Sequence, residues 1–517
     1  MPASHCDRIA PVATLGTNIV SEDGKAVWNL AAPLLLGLAI AASFGLLAWA
    51  PITHDDVLYA ANSPLTTGPW PGWAAFFMRP AFPLGYEPLN FILHRWLHAW
   101  GGEQPLAYRL SSMLLHWANA VLAWSLFRRA LREERLAFIG ALLFAVYPAH
   151  VEVIAISASK KHLIVALLCL ASLRIQRPGL GRAWICALSW LLLAAGLLTK
   201  ESAIVIPFSV LVWEYAEGGG RRKRWPLWTG YAAICLAFGL WHMRLSDFPT
   251  QPPVSGSWSL HWLDCAGGLA ELISRLAWPW GLCLEHSSLF AGGPSAPSWL
   301  WPVGAWCAAA IGLGWLLRRL YRRDRVAWAA TTWTCICLAP FLNIAPVLLV
   351  RAPADRYLYL AHAGFCLLFM RGLASAAGRL RPAAARWLKL APAGLAAIYC
   401  AMSVRRAALF TDPVALWTQT AACAPGVPRA RLMLAQTCLE RGRLPEAWSA
   451  LSAARGLTPE HPMLHQYLAW YYHEAGRPEA AVAEARERLR LCPDEKARQD
   501  LAFYLDAARI RRSAAPR

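Results

Sequence analysis

Long apolar runs alternate with short polar stretches along the 517 residues, and the runs set the predicted elements. The first, Val27 to Ala50, is long enough at ~1.5 Å per residue to cross a ~30 Å hydrocarbon layer. It follows a mixed polar segment with no cleavable-signal pattern, so it reads as a signal anchor with a cytoplasmic N-terminus. Further apolar spans fall at about 106–127, 136–156, 162–174, 183–199, 203–217, 227–244, 299–317, 326–348, 357–370 and 390–407. With the first helix these make eleven predicted crossings. The stretch 262–284 is also apolar, but it carries Asp264, Glu271 and Arg275. A charge at the bilayer centre costs ~2.5–3.5 kcal/mol on insertion scales, so this stretch reads as interfacial or as a buried half-helix.

From Trp417 onward the pattern becomes soluble and helical, with a period of 34 residues: Leu434-Ala435 recurs as Leu468-Ala469, Gly442 as Gly476, and Pro425 as Pro459 and Pro493. Pro445-Glu446-Ala447 returns as Pro478-Glu479-Ala480 one residue early, a slip that a turn absorbs. The register is that of tetratricopeptide-type repeats, two full units with a half unit on either side, able to stack and offer a concave face to a partner. The predicted fold class is therefore all-α: a polytopic transmembrane bundle followed by a short α-solenoid. The predicted divisions are a cytoplasmic tail over 1–26, a membrane domain over 27–410 and a repeat domain over 411–517.

Composition agrees with a membrane protein: 57% of residues are hydrophobic and 16% charged, and the 28 Trp suit headgroup boundaries. A net charge of +19 would suggest nucleic acid in a soluble chain. Its Arg and Lys cluster instead between apolar spans, at Arg128 to Arg135, Arg174 to Arg182, Arg221 to Arg224, Arg318 to Arg325 and Arg371 to Lys389. Such loops stay cytoplasmic, and no nucleic-acid-binding motif accompanies them. An odd number of crossings puts the repeats opposite the N-terminus, on the periplasmic side of a bacterial inner membrane. The 14 Cys lie mostly within apolar runs and read as small buried hydrophobes, with Cys335 and Cys337 too close together to suggest a zinc site.

The outer face gathers ionisable residues. His54-Asp55-Asp56 follows the first helix, and adjacent carboxylates there can deprotonate a hydroxyl, hold a sugar, bind a metal or simply cap a helix. Tyr86-Glu87-Pro88-Leu89, Pro148-Ala149-His150-Val151-Glu152, Ser159-Lys160-Lys161, Lys200-Glu201, Arg351 and Asp355-Arg356-Tyr357 follow at later outer ends. Cations retained against the positive-inside trend pair with carboxylates or with an anion such as a lipid phosphate. Alternatives for His150 and for each cation are a snorkelling side chain or a structural ion pair.

In that order along the chain, these segments resemble the polytopic GT-C glycosyltransferases, most closely the transmembrane O-mannosyltransferases with C-terminal tetratricopeptide repeats and their bacterial relatives. The Thr199-Lys200-Glu201-Ser202 and Asp355-Arg356-Tyr357-Leu358-Tyr359-Leu360 segments belong to the set. The resemblance implies a polyprenyl-phosphate sugar donor and transfer to an acceptor hydroxyl of a protein, glycan or lipid on the outer face. It assigns the base role to the acidic pair; of the two, Asp55 is the favoured base, with Asp56 orienting the acceptor or its partner. Arg356, Lys161, Lys200 and Arg351 would meet the departing phosphate, and Tyr86, Glu87, His150 and Glu152 the sugar or acceptor. Many relatives carry Arg where this chain has Glu87. A third carboxylate near the pair leaves a divalent metal ion open as a cofactor. A transporter or flippase for a lipid-linked or anionic substrate is the competing class, but it would show internal span symmetry and mid-membrane charges. A non-catalytic scaffold recruiting a protein partner through the repeats is the third.

Overall fold

The computed structural model describes residues 22–52, 55–60, 63–79, 86–176, 182–217, 224–245, 258–286, 300–342 and 354–514, and every regular element among them is helical. Five helices are long and apolar enough to cross a membrane: Val27–Trp49, Pro105–Leu131, Val303–Arg323, Asp355–Ala377 and Pro382–Thr411. The other predicted spans each carry a helix, among them Lys160–Ile175, Arg182–Leu197, Val205–Ala216, Trp225–Leu245 and Arg325–Leu338. Large apolar side chains stand exposed along their outer faces, such as Leu30, Leu34, Leu38, Leu236 and Ile311, as a lipid-facing surface requires.

The predicted span 136–156 is interrupted. Helix Glu134–Ala145 ends before Pro148, and the short helix His150–Ala155 resumes the path. Proline has no N–H and clashes with the preceding turn, so two carbonyls lose their helical partners. Inside a membrane such groups must be satisfied by protein. His116 Nε2 donates to Ala145 O at 2.9 Å and Ser403 Oγ to Val146 O at 2.8 Å. That bond fixes the His116 tautomer, leaving Nδ1 to accept from Tyr359 Oη at 2.8 Å. The break thus holds helices Pro105–Leu131, Leu358–Ala377 and Pro382–Thr411 together at one depth.

The stretch 262–284 starts on the amphipathic helix Trp258–Ala277, which buries Leu260, Cys265, Leu272, Arg275 and Leu276, and runs on beyond its end. Beyond Asp412, whose side chain accepts from Val414 N at 3.1 Å as an N-cap, the tail is a run of antiparallel helical hairpins. Pro428–Glu440 pairs with Leu444–Leu457 and Pro462–Glu474 with Pro478–Leu491, while Pro413–Cys423 and Glu495–Ala514 flank them. Gly442 and Gly476 close the two hairpins at φ +67° and +76°, a conformation that costs an L side chain ~1–2 kcal/mol. Leu432, Leu439, Leu451, Leu464 and Leu468 form the hairpin core.

A disulfide between Cys283 and Cys423, 140 residues apart, fastens the segment after Trp258–Ala277 to the first tail helix. Sequence reading gave cysteine no such part, and the structure corrects it: neither spacing nor local composition marks this pair. Arg429 and Glu285 reinforce the junction at 3.1 Å.

Candidate active site

The acidic pair opens the short helix Asp55–Ala60. Asp56 is buried and receives Arg109 Nη1 and Ala158 N, each at 2.8 Å. Arg109 also donates to Pro51 O at 2.7 Å, so the cluster latches the loop after the first long helix to helix Pro105–Leu131 and to the turn at Ser157–Ser159. Burial pushes the Asp56 carboxyl above its ordinary range, opposed by Arg109 and the Ala158 N–H. The Asp55 side chain, His54 and Arg351 lie outside the described residues.

One turn along the same helix, Tyr59 connects the acidic pair to a second cluster. Tyr59 Oη donates to Glu87 Oε2 at 3.0 Å, as does Asn90 Nδ2 at 3.0 Å. Lys161 forms an ion pair with Glu87 Oε1 and a 3.3 Å hydrogen bond to Tyr59 Oη. Burial raises the Tyr59 phenol well above its usual value, which keeps it a donor to Glu87. Glu87 occupies the N-cap position of helix Pro88–Gly101, where Pro88 can begin the helix because the first N–H is not needed. From that helix His94 Nδ1–H donates to Asn90 O at 2.7 Å, and Ser157 Oγ donates to Nε2 at 3.0 Å. Burial lowers the His94 imidazole to about 3. Tyr86 is fixed by donating to Phe77 O at 3.1 Å and accepting from Trp241 Nε1 at 3.2 Å.

Lys161, Lys200 and Arg356 come from three distant parts of the chain and lie within electrostatic reach of one another and of His162. Of the three, Arg356 lines a cleft, with His162 and Ser202 as further polar lining and Val165, Val205 and Leu360 along its apolar wall. Phe341 and Tyr357 stack at 4.3 Å within it. Each cation has a carboxylate neighbour: Lys200 meets Glu201 at 3.6 Å and Arg356 meets the buried Glu152 at 2.6 Å. Behind Arg356, Asp355 accepts from Arg406 at 2.8 Å, from Arg275 at 3.2 Å and from Cys283 N at 3.1 Å, with His286 at 3.2 Å. This knot ties the disulfide-bearing segment to the base of the cleft.

The structure therefore brings Asp56, Glu87, Tyr86, Lys161, Lys200, Glu152 and Arg356 to one side of the bundle. His150 stands apart. It is buried with its ring 5.3 Å from those of His116 and His362 and 4.6 Å from that of Tyr359. Sequence reading missed Arg109, Tyr59, Asn90 and Arg406. For Arg109 a signal existed, since an arginine retained inside an apolar span demands a buried partner. Among the described residues no group of three or more His, Cys, Asp or Glu is placed to hold a metal ion.

Residues 88–242 match the family described as dolichyl-phosphate-mannose-protein mannosyltransferase. Protein O-mannosyl-transferase Tmtc1 of Drosophila melanogaster is 36% identical over 125 residues, covering 23% of this chain and 14% of the relative. Protein O-mannosyl-transferase TMTC2 of Homo sapiens is 30% identical over 146 residues, covering 26% and 17%. The chain thus matches less than a fifth of the length of these curated relatives. A crystal structure of ArnT from Cupriavidus metallidurans bound to undecaprenyl phosphate aligns over 88% of this chain and 79% of that one, at TM-score 0.43 and 15% identity. The resemblance to polytopic GT-C glycosyltransferases drawn from the sequence holds. The matched stretch contains Glu152, Lys161 and Lys200, together with the helix that Glu87 caps.

Proposed function

We propose that the chain is a membrane glycosyltransferase that moves a sugar, mannose or a similar hexose, from a polyprenyl-phosphate donor to an acceptor hydroxyl on the outer face. One observation carries this reading: Arg356 lines a cleft with an apolar wall, Lys161 and Lys200 act electrostatically on His162 in that lining, and Lys161 is joined through Glu87 and Tyr59 to the helix that bears the acidic pair. A lipid phosphate needs both features, a cationic end and an apolar channel. Asp55 takes the acceptor proton as its oxygen attacks the anomeric carbon opposite the phosphate, with inversion. Asp56, held by Arg109, orients that helix. Arg356, Lys161 and Lys200, with Arg351, stabilise the charge that develops on the departing phosphate. Glu152 positions Arg356; Tyr86 stands on the acceptor side, Glu87 lies between the acidic-pair helix and Lys161, and His150 supports the wall behind the sugar pocket.

Eleven crossings and a periplasmic tail complete the proposal. The Cys283–Cys423 disulfide supports it, because such bonds persist in oxidising compartments and this one involves the tail itself. The tetratricopeptide-type hairpins guide the acceptor or a protein partner. The decisive experiment is sugar transfer by the purified protein in lipid, offered a panel of polyprenyl-phosphate sugars, with the Asp55→Asn, Asp56→Asn variant beside it. Transfer or slow donor hydrolysis that disappears in the variant is expected; activity retained by the variant would end the assignment of the acidic pair.

A further inference from the structure

The three cation–carboxylate pairs at the cleft differ in how easily the cation can leave. Glu152 has one oxygen on Arg356 and the other 4.0 Å from Arg406 without a hydrogen bond, so a departing Arg356 strands a fully buried carboxylate. Glu201 is loosely held at 3.6 Å and its side chain is 41% exposed, so it constrains Lys200 little. Glu87 divides its two oxygens. Oε2 takes the Tyr59 hydroxyl and the Asn90 amide, both at 3.0 Å, and Oε1 takes Lys161. If Lys161 moves away, Glu87 keeps two neutral donors, so its unpaired charge costs less than that of Glu152, which would keep none. Lys161, its side chain 17% exposed on a flexible stem, is thus an ammonium that can be exchanged.

Building on the glycosyltransferase reading above, we propose that Glu87 is the internal counter-anion of Lys161 and governs release of the spent lipid carrier. The charge change in the reaction gives the reason. The donor is a phosphodiester with one negative charge. On transfer, the acceptor hydroxyl gives its proton to the carboxylate base and its oxygen bonds to the anomeric carbon. The bond from that carbon to the phosphate oxygen breaks, and its electron pair leaves with the phosphate. The carrier becomes a phosphomonoester with one more negative charge. Lys161 leaves Glu87 to meet that charge; the spent carrier departs as Glu87 competes the ammonium back. Glu87 is here a positioning residue that acts through Lys161, and its charge opposes retention of the product.

The test measures binding of farnesyl phosphate to the full chain in lipid nanodiscs, with Glu87→Gln as the isosteric neutral variant and Glu87→Asp as the shortened carboxylate. Glu87→Gln is expected to tighten binding by about tenfold, the scale of one charge-assisted hydrogen bond from Lys161 to the phosphate. Glu87→Asp falls between, and in a Lys161→Gln background the tightening disappears. In transfer assays Glu87→Gln lowers the steady-state rate more than the first-turnover rate and lowers the inhibition constant of added farnesyl phosphate. Binding that is unchanged or weaker in Glu87→Gln, or equally tightened without Lys161, overturns the proposal. Failure of the donor-site reading looks different: the unsubstituted chain and its Arg356→Ala variant then show no difference in farnesyl phosphate binding, and both proposals fall together.

Discussion

Replacing Arg109 by Met tests the Asp56 latch most directly. Both side chains are about 1–2% exposed, and the guanidinium spans Asp56, Pro51 O and, at 3.4 Å, Ala50 O. Removing it leaves the Asp56 carboxylate buried with the Ala158 N–H as its remaining described partner. Breaking a buried ion pair from one side costs about 3–5 kcal/mol, because the surviving charge is left unpaired. Asp56→Asn should cost less, about 1–3 kcal/mol, since the two carbonyls still accept from Arg109. The double variant removes both charges, so its cost should fall below the sum of the single costs by about 2–3 kcal/mol. The assay is reversible unfolding in mixed lipid–detergent micelles, run on all four proteins of the cycle. Single costs that add to within about 0.5 kcal/mol would refute the argument, because uncoupled sites do not share a buried charge pair.

Three further outcomes follow from the packing and the junction. Gly364→Ala should destabilise by about 1–3 kcal/mol, because its Cβ would lie 2.5 Å from Thr334 Oγ1 and 3.2 Å from Ala330 O; Gly314→Ala, with nothing within 4 Å, should be neutral or stabilising, and the comparison is read from thermal denaturation in detergent. Cys283 and Cys423 should resist maleimide labelling in the denatured chain until a reductant is added, and the Cys283→Ser variant should lose about 2–5 kcal/mol in unfolding measurements. Deleting residues 417–517 in a Cys283→Ser background should impair transfer to acceptor more than donor hydrolysis; equal loss of both would make the hairpins a structural cap.

The sequence made the helical architecture legible because membrane burial forces long apolar runs, and a run of that kind has few other solutions. The hairpin tail was legible for a different reason: Gly442 and Gly476 recur at turns that demand positive φ, and Pro425, Pro459 and Pro493 each fall just beyond a helix. The interruption at Val146–Ala149 was not foreseen, although Pro148 was visible. What permits it is His116 and Ser403, far away in sequence, and no local pattern points to them. The candidate site was half legible for the same reason. Charged residues at helix ends announced themselves against an apolar background, but their pairing did not. Tyr59 and Asn90 look ordinary in the sequence, Arg109 stands out there without showing its partner, and only the fold shows which carboxylate each of them holds.

Pairing of every cleft cation with a carboxylate does not count against an anion site. A cluster of Lys161, Lys200 and Arg356 without counter-charges, drawn together at the edge of a low-dielectric bundle, would repel itself and lose hydration with nothing in return. The internal carboxylates make the unoccupied state tolerable, and an incoming phosphate must compete with them. Binding is weakened accordingly, which is useful where the product carries more charge than the substrate. An enzyme whose cations were all free would hold its spent carrier most tightly of all. Neutral pairing at the cleft is therefore what turnover by such a site requires. The pair whose carboxylate retains hydrogen bonds after exchange, Glu87 with Lys161, is the one that the proposed release step would open.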